Sequence, residues 1–421
     1  MSATTIPARA IRARLTARRP LVLWIGFLVL VMAAGGAAFL YQYANGLVVT
    51  GMRNTVMWGQ YILFFMFFVG LSAGSLIVAS AGRLFGVRLF KPITRLAVLA
   101  ATVAVLLAAI FILPDLGRPE RLLHIFLYPN FTSPMIWDIM IVIAYMAMSA
   151  FYVWLYVRAD LARRGSWLAF GTGTSARALA REERLKSAMA WVALPAAILL
   201  HSITAWIFGL QISRGFWYSG IMAPMFITSA LVSGLALVIL LALVMRRLGR
   251  LRFGDELVAF LGGLLGIFIA VLFFLTAAEF LTAAYPGAPK AAAFERLLVG
   301  IYAPLFWFEV AIGLGVPFVI LAIRPLRLNP VWVAAAAAIA ILGIFVHRLN
   351  LILNGLSYAT IQYPPGVSVG VDQGLGSSFA LSHWYIPTAV EWLVVAGVLA
   401  FGALVFTVSV LILPMQEPAD H

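Results

Sequence analysis

No cysteine occurs among the 421 residues, so the chain has no thiolate for an iron–sulfur cluster or a haem, no disulfide and no thiol chemistry of its own. Any redox centre of that kind belongs to a partner. Charge is almost as scarce: Asp, Glu, Lys and Arg make up 10% of the residues against 64% hydrophobic ones, which excludes a water-soluble globule and leaves a polytopic membrane protein. Two further absences remove tempting motifs. No small-residue cleavage site follows Arg18-Arg19, so the twin arginine is not read as an export signal. No strand precedes Gly171-Thr-Gly-Thr-Ser175 and no Gly-Lys-Ser/Thr follows it, so it is a linker and not a phosphate loop.

A span needs about 20 apolar residues, and ten stretches qualify, at roughly 21–44, 57–80, 92–113, 134–157, 187–208, 223–246, 256–280, 298–323, 331–353 and 386–414. Both termini therefore share one side. Arg9, Arg12, Arg14, Arg18 and Arg19 precede the first span; Arg83, Arg88, Lys91 and Arg95 follow the second. With the loops after spans four, six and eight, about 22 of the 29 Lys and Arg lie on the N-terminal side, which the positive-inside rule makes cytoplasmic. The net charge of +14 follows from this bias and from contact with anionic headgroups, so no nucleic-acid partner is implied.

The fold expected is an all-α integral membrane protein of ten transmembrane helices. Span four opens Ser133-Pro-Met-Ile-Trp-Asp138 and span eight opens Ala303-Pro-Leu-Phe-Trp-Phe-Glu309. Spans two and six share Leu71-Ser-Ala-Gly-Ser75 and Leu231-Val-Ser-Gly-Leu235, and end at Arg83-Leu-Phe-Gly86 and Arg246-Arg-Leu-Gly249. Two parallel-repeat four-helix bundles, spans 2–5 and 6–9, flanked by spans 1 and 10, account for these pairs. The expected organisation is a basic N-terminus at 1–20, the first helix and outer loop at 21–56, bundles at 57–208 and 223–353, an outer loop at 354–385, and a last helix and tail at 386–421. No span shows a conspicuous Gly-Pro interruption.

Against that apolar background, seven ionisable side chains stand in or at the rims of spans: Asp138, His201, Glu279, Glu309, His347, Arg348 and Glu391. A charge in a bilayer costs roughly 2.5 to 3.5 kcal/mol on insertion scales, so such residues usually line a site or a proton path. Topology places all but Glu309 towards the outer side; Glu309 approaches mid-membrane. Glu279 and Glu391 can instead snorkel, Arg348 can be a structural ion pair with one of them, and the two histidines can be hydrogen-bonded core residues. Asp138, Glu309 and His201 are hardest to read that way. A quinone head needs a donor at each carbonyl oxygen, a titratable group and an apolar cleft, which an imidazole with a nearby carboxylate provides. Two alternatives stay open: His201 and His347 as axial ligands of a b-type haem, or a secondary transporter. A structural anchor needs none of the three residues.

Asp115-Leu-Gly-Arg-Pro-Glu-Arg121, the Asp138 motif, His201-Ser, Phe306-Trp-Phe-Glu309, Arg348-Leu-Asn350 and Tyr385-Ile-Pro-Thr-Ala-Val-Glu391 together make a further pattern. In order and spacing the chain resembles the NrfD/polysulfide reductase membrane-subunit family, and its ten-helix branch with the hydrogenase-2 integral membrane subunit and the quinol-oxidising subunits of alternative complex III. The resemblance implies a prokaryotic inner-membrane subunit, both termini cytoplasmic, without haem or iron–sulfur cluster of its own. It would exchange electrons between menaquinone or ubiquinone and a ferredoxin-like iron–sulfur subunit on the outer face, with a molybdopterin enzyme, hydrogenase or multihaem cytochrome c beyond. It further implies quinone binding at His201 and Asp138 with Asp115 and Arg118, Asp138 orienting the imidazole, and a proton path through Glu309, Glu279 and Arg348. His124 either joins the site or faces water; Glu391 and His347 carry no assignment. The 354–385 loop, about 32 residues long, is either a partner-docking surface or a lid.

Overall fold

In a medium without water every backbone N–H and C=O must be satisfied within the chain, and long apolar segments answer by forming helices. The computed structural model describes residues 8–53, 56–285, 289–356 and 385–415, and ten of its helices are long and apolar enough to cross a membrane. They are α1 (Arg19–Asn45), α2 (Gln60–Leu84), α3 (Arg88–Asp115), α4 (Pro134–Arg163), α5 (Ala176–Gly209), α6 (Met222–Arg247), α7 (Asp255–Ala284), α8 (Ala303–Ala322), α9 (Pro330–Leu356) and α10 (Ala389–Ile412). Short helical turns at Pro119–Leu123 and His124–Leu127 join α3 to α4. Within the expected 354–385 loop, 357–384 lie outside the described residues.

Helix α2 is the axis of the molecule. It packs along α3, α5 and α6, while α4 lies on α5 and α3, α6 and α9 pair with each other and with α7, and α9 also packs on α8. Helices α1 and α10 pack together and lie against α3. The crossing of α2 and α6 falls on the two similar small-residue motifs: a Cβ on Gly74 would collide with the Ala230 carbonyl oxygen, and one on Gly234 with the Ser75 nitrogen. Small residues are how helices meet in lipid, where no hydrophobic force drives them together. The similar tails of α2 and α6 also have one cause. Gly86 and Gly249 take left-handed φ values of 66° and 69°, and the next residues, Val87 and Arg250, close back on Gly82 and Met245. Glycine takes that conformation without the steric cost of a side chain.

Basic side chains mark one face of the molecule. There Arg95 pairs with Asp160 at 2.7 Å, Arg83 and Lys186 share Glu183 at 2.9 and 2.6 Å, and Arg158 grips Glu182 through both carboxylate oxygens. The pairs at Glu182, Glu183 and Lys186 lie in the turns by which α5 begins eleven residues before the expected start of the fifth span, at Ala176 instead of 187.

One expectation about the helices is overturned. Span eight is interrupted: residues Phe308–Gly315 form a π-helix, flanked by α-helix at Ala303–Trp307 and Val316–Ala322. Pro317 supplies the cause, because in a regular helix its ring would strike the Gly313 carbonyl four residues back, and a wider turn relieves the clash. Gly313 and Gly343 then let α8 and α9 close, since a Cβ on Gly313 would run into the Gly343 Cα.

Candidate functional site

Helices α2, α5, α6 and α9 converge on His201 and Arg348, both wholly buried. Gly70 of α2 leaves room for the imidazole, since a Cβ there would lie 3.5 Å from His201 Cε1. Arg348 Nη2 stands 3.2 Å from His201 Nε2 and also donates to Ser229 Oγ. The guanidinium lies over the Phe226 ring, its central carbon 3.8 Å from the centroid, and that ring stands 5.3 Å from the imidazole. An arginine has only donors, so His201 Nε2 must accept and the ring is neutral with its proton on Nδ1. The Phe226 backbone carbonyl is the acceptor nearest the imidazole, whereas two nitrogens of Arg348, Nε and Nη1, have no acceptor. Buried donors without an acceptor cost about 1 to 3 kcal/mol each. The centre is therefore set for an acceptor oxygen.

Asp138 is brought beside this centre without touching the imidazole. Its Oδ1 lies 2.6 Å from Thr204 Oγ1, which is also 3.0 Å from the Leu200 carbonyl oxygen. The hydroxyl has a single proton and two acceptors in reach. Either Asp138 is ionised and receives that proton, or it is protonated and donates while Thr204 turns to Leu200. Thr204, three residues after His201, links the carboxylate to the same face of α5. The sequence offered that spacing as its only sign.

A second polar centre lies across α9. Glu309, at the start of the π-helix, accepts from Asn350 Nδ2 at 2.8 Å through one oxygen and lies 2.8 Å from His347 Nδ1 through the other. His347 and Arg348 are neighbours in sequence and serve different centres, because successive helical residues point about 100° apart. Next to Glu309 a cavity of about 60 Å³ is bounded by Glu279, Glu309, His347, Asn350, Thr276 and aromatic rings, room for a few waters. Glu279 accepts from Ser219 at 2.6 Å, and Asn350 Oδ1 has no partner.

The remaining expected residues are elsewhere. Glu391, wholly buried, caps α10: its Oε2 accepts from the Thr388 nitrogen at 2.9 Å and from the Gly51 nitrogen at 2.7 Å, and its Oε1 accepts from the Tyr385 hydroxyl at 2.6 Å. Thr388 and Glu391 form a capping box. Burial and the Glu391 charge hold the Tyr385 phenol well above its ordinary range, so it remains a donor. Asp115, at the end of α3, keeps Oδ1 without a partner near the Gln42 bond to the Pro114 carbonyl, and is not bonded to His201. Arg118 is exposed at 66% and pairs with Glu120 at 3.7 Å, while His124 lies at the surface edge-on to Tyr128. Neither joins the buried centres.

Residues 48–360 match the sequence model of a family described as polysulphide reductase, NrfD. The chain is 38% identical to a putative dimethyl sulfoxide reductase membrane subunit of Halobacterium salinarum, across 96% of this chain and 95% of that protein. It is 28% identical to a selenate reductase subunit of Mesobacillus selenatarsenatis, over 93% and 94% of the two chains. With the Hdr-like menaquinol oxidoreductase integral membrane subunit of Archaeoglobus fulgidus it shares 27% identity over 91% of each.

Proposed function

The chain belongs to the NrfD polysulphide reductase family, and on that footing we propose that it is the membrane subunit through which a respiratory reductase complex draws electrons from the quinone pool. It sits in a prokaryotic inner membrane with its basic face and both termini in the cytoplasm. An iron–sulfur subunit on the opposite face receives the electrons, since a chain without cysteine carries no cluster of its own, and passes them to a catalytic reductase subunit. The relative named for menaquinol favours menaquinone over ubiquinone.

One observation carries this reading: two nitrogens of Arg348, Nε and Nη1, are buried beside His201 without acceptors. When bound, a quinone head supplies carbonyl oxygens that become hydroxyls on two-electron, two-proton reduction. Arg348, held by Ser229 and stacked on Phe226, donates to an oxygen and keeps its charge throughout. His201 holds its Nε2 towards Arg348 and offers Nδ1–H, and in the oxidative direction Asp138 takes one of the two released protons while the other passes to water, with Thr204 turning its hydroxyl between Asp138 and Leu200. The same contact weighs against a haem, because the His201 nitrogen that would bind iron faces a guanidinium.

The Glu309, His347 and Asn350 group, with its cavity and Glu279, serves as a proton route in this reading, supported by space for water between two carboxylates. One observation favours a transporter instead: the π-helical break places Glu309 in an interrupted helix. Quinol oxidation in membranes carrying His201→Ala or Asp138→Asn separates the two. We expect both to lose most activity while the complex still assembles; wild-type rates in both would leave a transporter or an anchor.

A further inference from the structure

A cleft of about 830 Å³ lies remote from both polar centres. It opens between α1 and α10 on one side and α6 on the other, floored by α2 and α3. Helices α1 and α10 make no extended contact with α6, and small residues on the floor and wall, Ala104 and Ala403 among them, keep the space open. Trp24 Nε1 donates to Thr407 Oγ1 at 3.2 Å and ties the outer wall together. Protein interiors are close-packed, so a gap of this size between transmembrane helices is filled by something.

Its dimensions and charge narrow the occupant. Along α10 the lining runs from Leu411 to Leu399, a rise of about 18 Å, which matches one leaflet, half of a hydrocarbon core about 30 Å thick. Walls are apolar except at the mouth, where Arg250, just past the basic end of α6, is the sole charged lining residue among the described residues. Its side chain is exposed and makes no hydrogen bond or ion pair with the described residues. On the facing wall Arg19 stands two residues before Leu21. A quinone head would find no titratable acid or imidazole there, whereas a phosphate in the headgroup layer finds a cation.

We propose that this cleft binds a two-chain anionic membrane lipid from the leaflet at the basic face, with its hydrocarbon chains along α3 and its phosphate at Arg250. Lipid tails are as apolar as the walls, so selectivity rests on the headgroup and retention on the shape of the cleft.

The full chain, purified in mild detergent and reconstituted into phosphatidylcholine nanodiscs, is titrated with phosphatidylglycerol, and retained lipid is counted by native mass spectrometry. One phosphatidylglycerol per chain is expected in preference to phosphatidylcholine. Arg250→Gln, in an exposed loop, is expected to weaken that preference about fivefold, the usual effect of one basic residue at a membrane surface. Ala403→Trp fills the cleft and is expected to abolish retention of either lipid. Equal retention of both lipids by the wild-type chain, or an unchanged preference in Arg250→Gln, overturns the proposal without relying on the bulkier variant. Recovery from the wild-type chain of a quinone that Ala403→Trp loses overturns it in favour of a different occupant.

Discussion

Two buried centres, separated by the width of α9, treat their polar atoms in opposite ways. At His201 and Arg348 the donors outnumber the acceptors, the surroundings are an aromatic ring and close-packed helices, and two guanidinium nitrogens are left unpaired. At Glu309 both carboxylate oxygens are engaged, by His347 and Asn350, and a small cavity adjoins them. A centre with spare donors is incomplete until an acceptor arrives; a satisfied carboxylate beside space for water is complete and suited to holding or passing a proton. That His347 and Arg348 are adjacent in sequence shows that the division is made by the rotation of one helix.

The largest effect expected from breaking this contrast is at Arg348. Arg348→Gln removes the charge and two of the spare donors, and hydrogen bonds involving a charged group contribute about 1.5 to 3 kcal/mol each, so quinol oxidation should fall at least about 100-fold in kcat/KM. Arg348→Lys should recover little, because an ammonium is a single point of donors and cannot hold Ser229 and His201 as Nη2 does while also presenting the donors of Nε and Nη1. Rates are to be measured in membranes with assembly of the complex checked in parallel; a lysine variant at the wild-type rate would show that a point charge suffices.

Glu391 provides a control, since it is as buried as Arg348 yet spends its oxygens on backbone and Tyr385. Glu391→Ala should lower stability by about 1 to 2 kcal/mol through loss of the cap, seen as a lower melting temperature in detergent, with the KM for quinol unchanged. A raised KM with unchanged melting would move Glu391 into the site. Next in size is Thr204→Val, which removes the hydroxyl between Asp138 and Leu200 while keeping the shape. At about 1 kcal/mol for one hydrogen bond, a roughly fivefold lower kcat is expected, and an unchanged rate would detach Asp138 from the chemistry.

How far these centres are legible in the sequence varies with the physical signal. Hydropathy marks each of the ten spans, because crossing lipid demands a long apolar run. It misses the first turns of α5, where Glu182, Glu183 and Lys186 stabilise helix by pairing, Glu182 with Arg158 of α4. The cap role of Glu391 has a local sign, a threonine three residues before a glutamate ahead of an apolar run, and its burial hides it among candidate site residues. The break in α8 also has a sign, the run Gly313-Leu-Gly-Val-Pro317, in which glycines precede a proline without adjoining it. What no local pattern contains is the rotation of α9: its apolar residues surround it, so hydropathy does not say whether Arg348 turns to His201 or to Glu309.

The smallest effect on electron transfer is expected at Glu309, and it tests the comparison most sharply. Glutamine keeps an oxygen for Asn350 and an amide that can meet His347, so Glu309→Gln should preserve the packing of α8 on α9 and leave quinol oxidation within about twofold of wild type. What it removes is a group able to gain and lose a proton. If the second centre carries protons, proteoliposomes with the variant complex should turn over without the proton release that accompanies wild-type turnover beyond the two protons of the quinol itself. Full translocation in Glu309→Gln would leave the cavity as a hydrated gap in the packing. A large loss of quinol oxidation would instead show that the two centres act as one, coupled through Arg348, whose charge Glu309 lies close enough to influence.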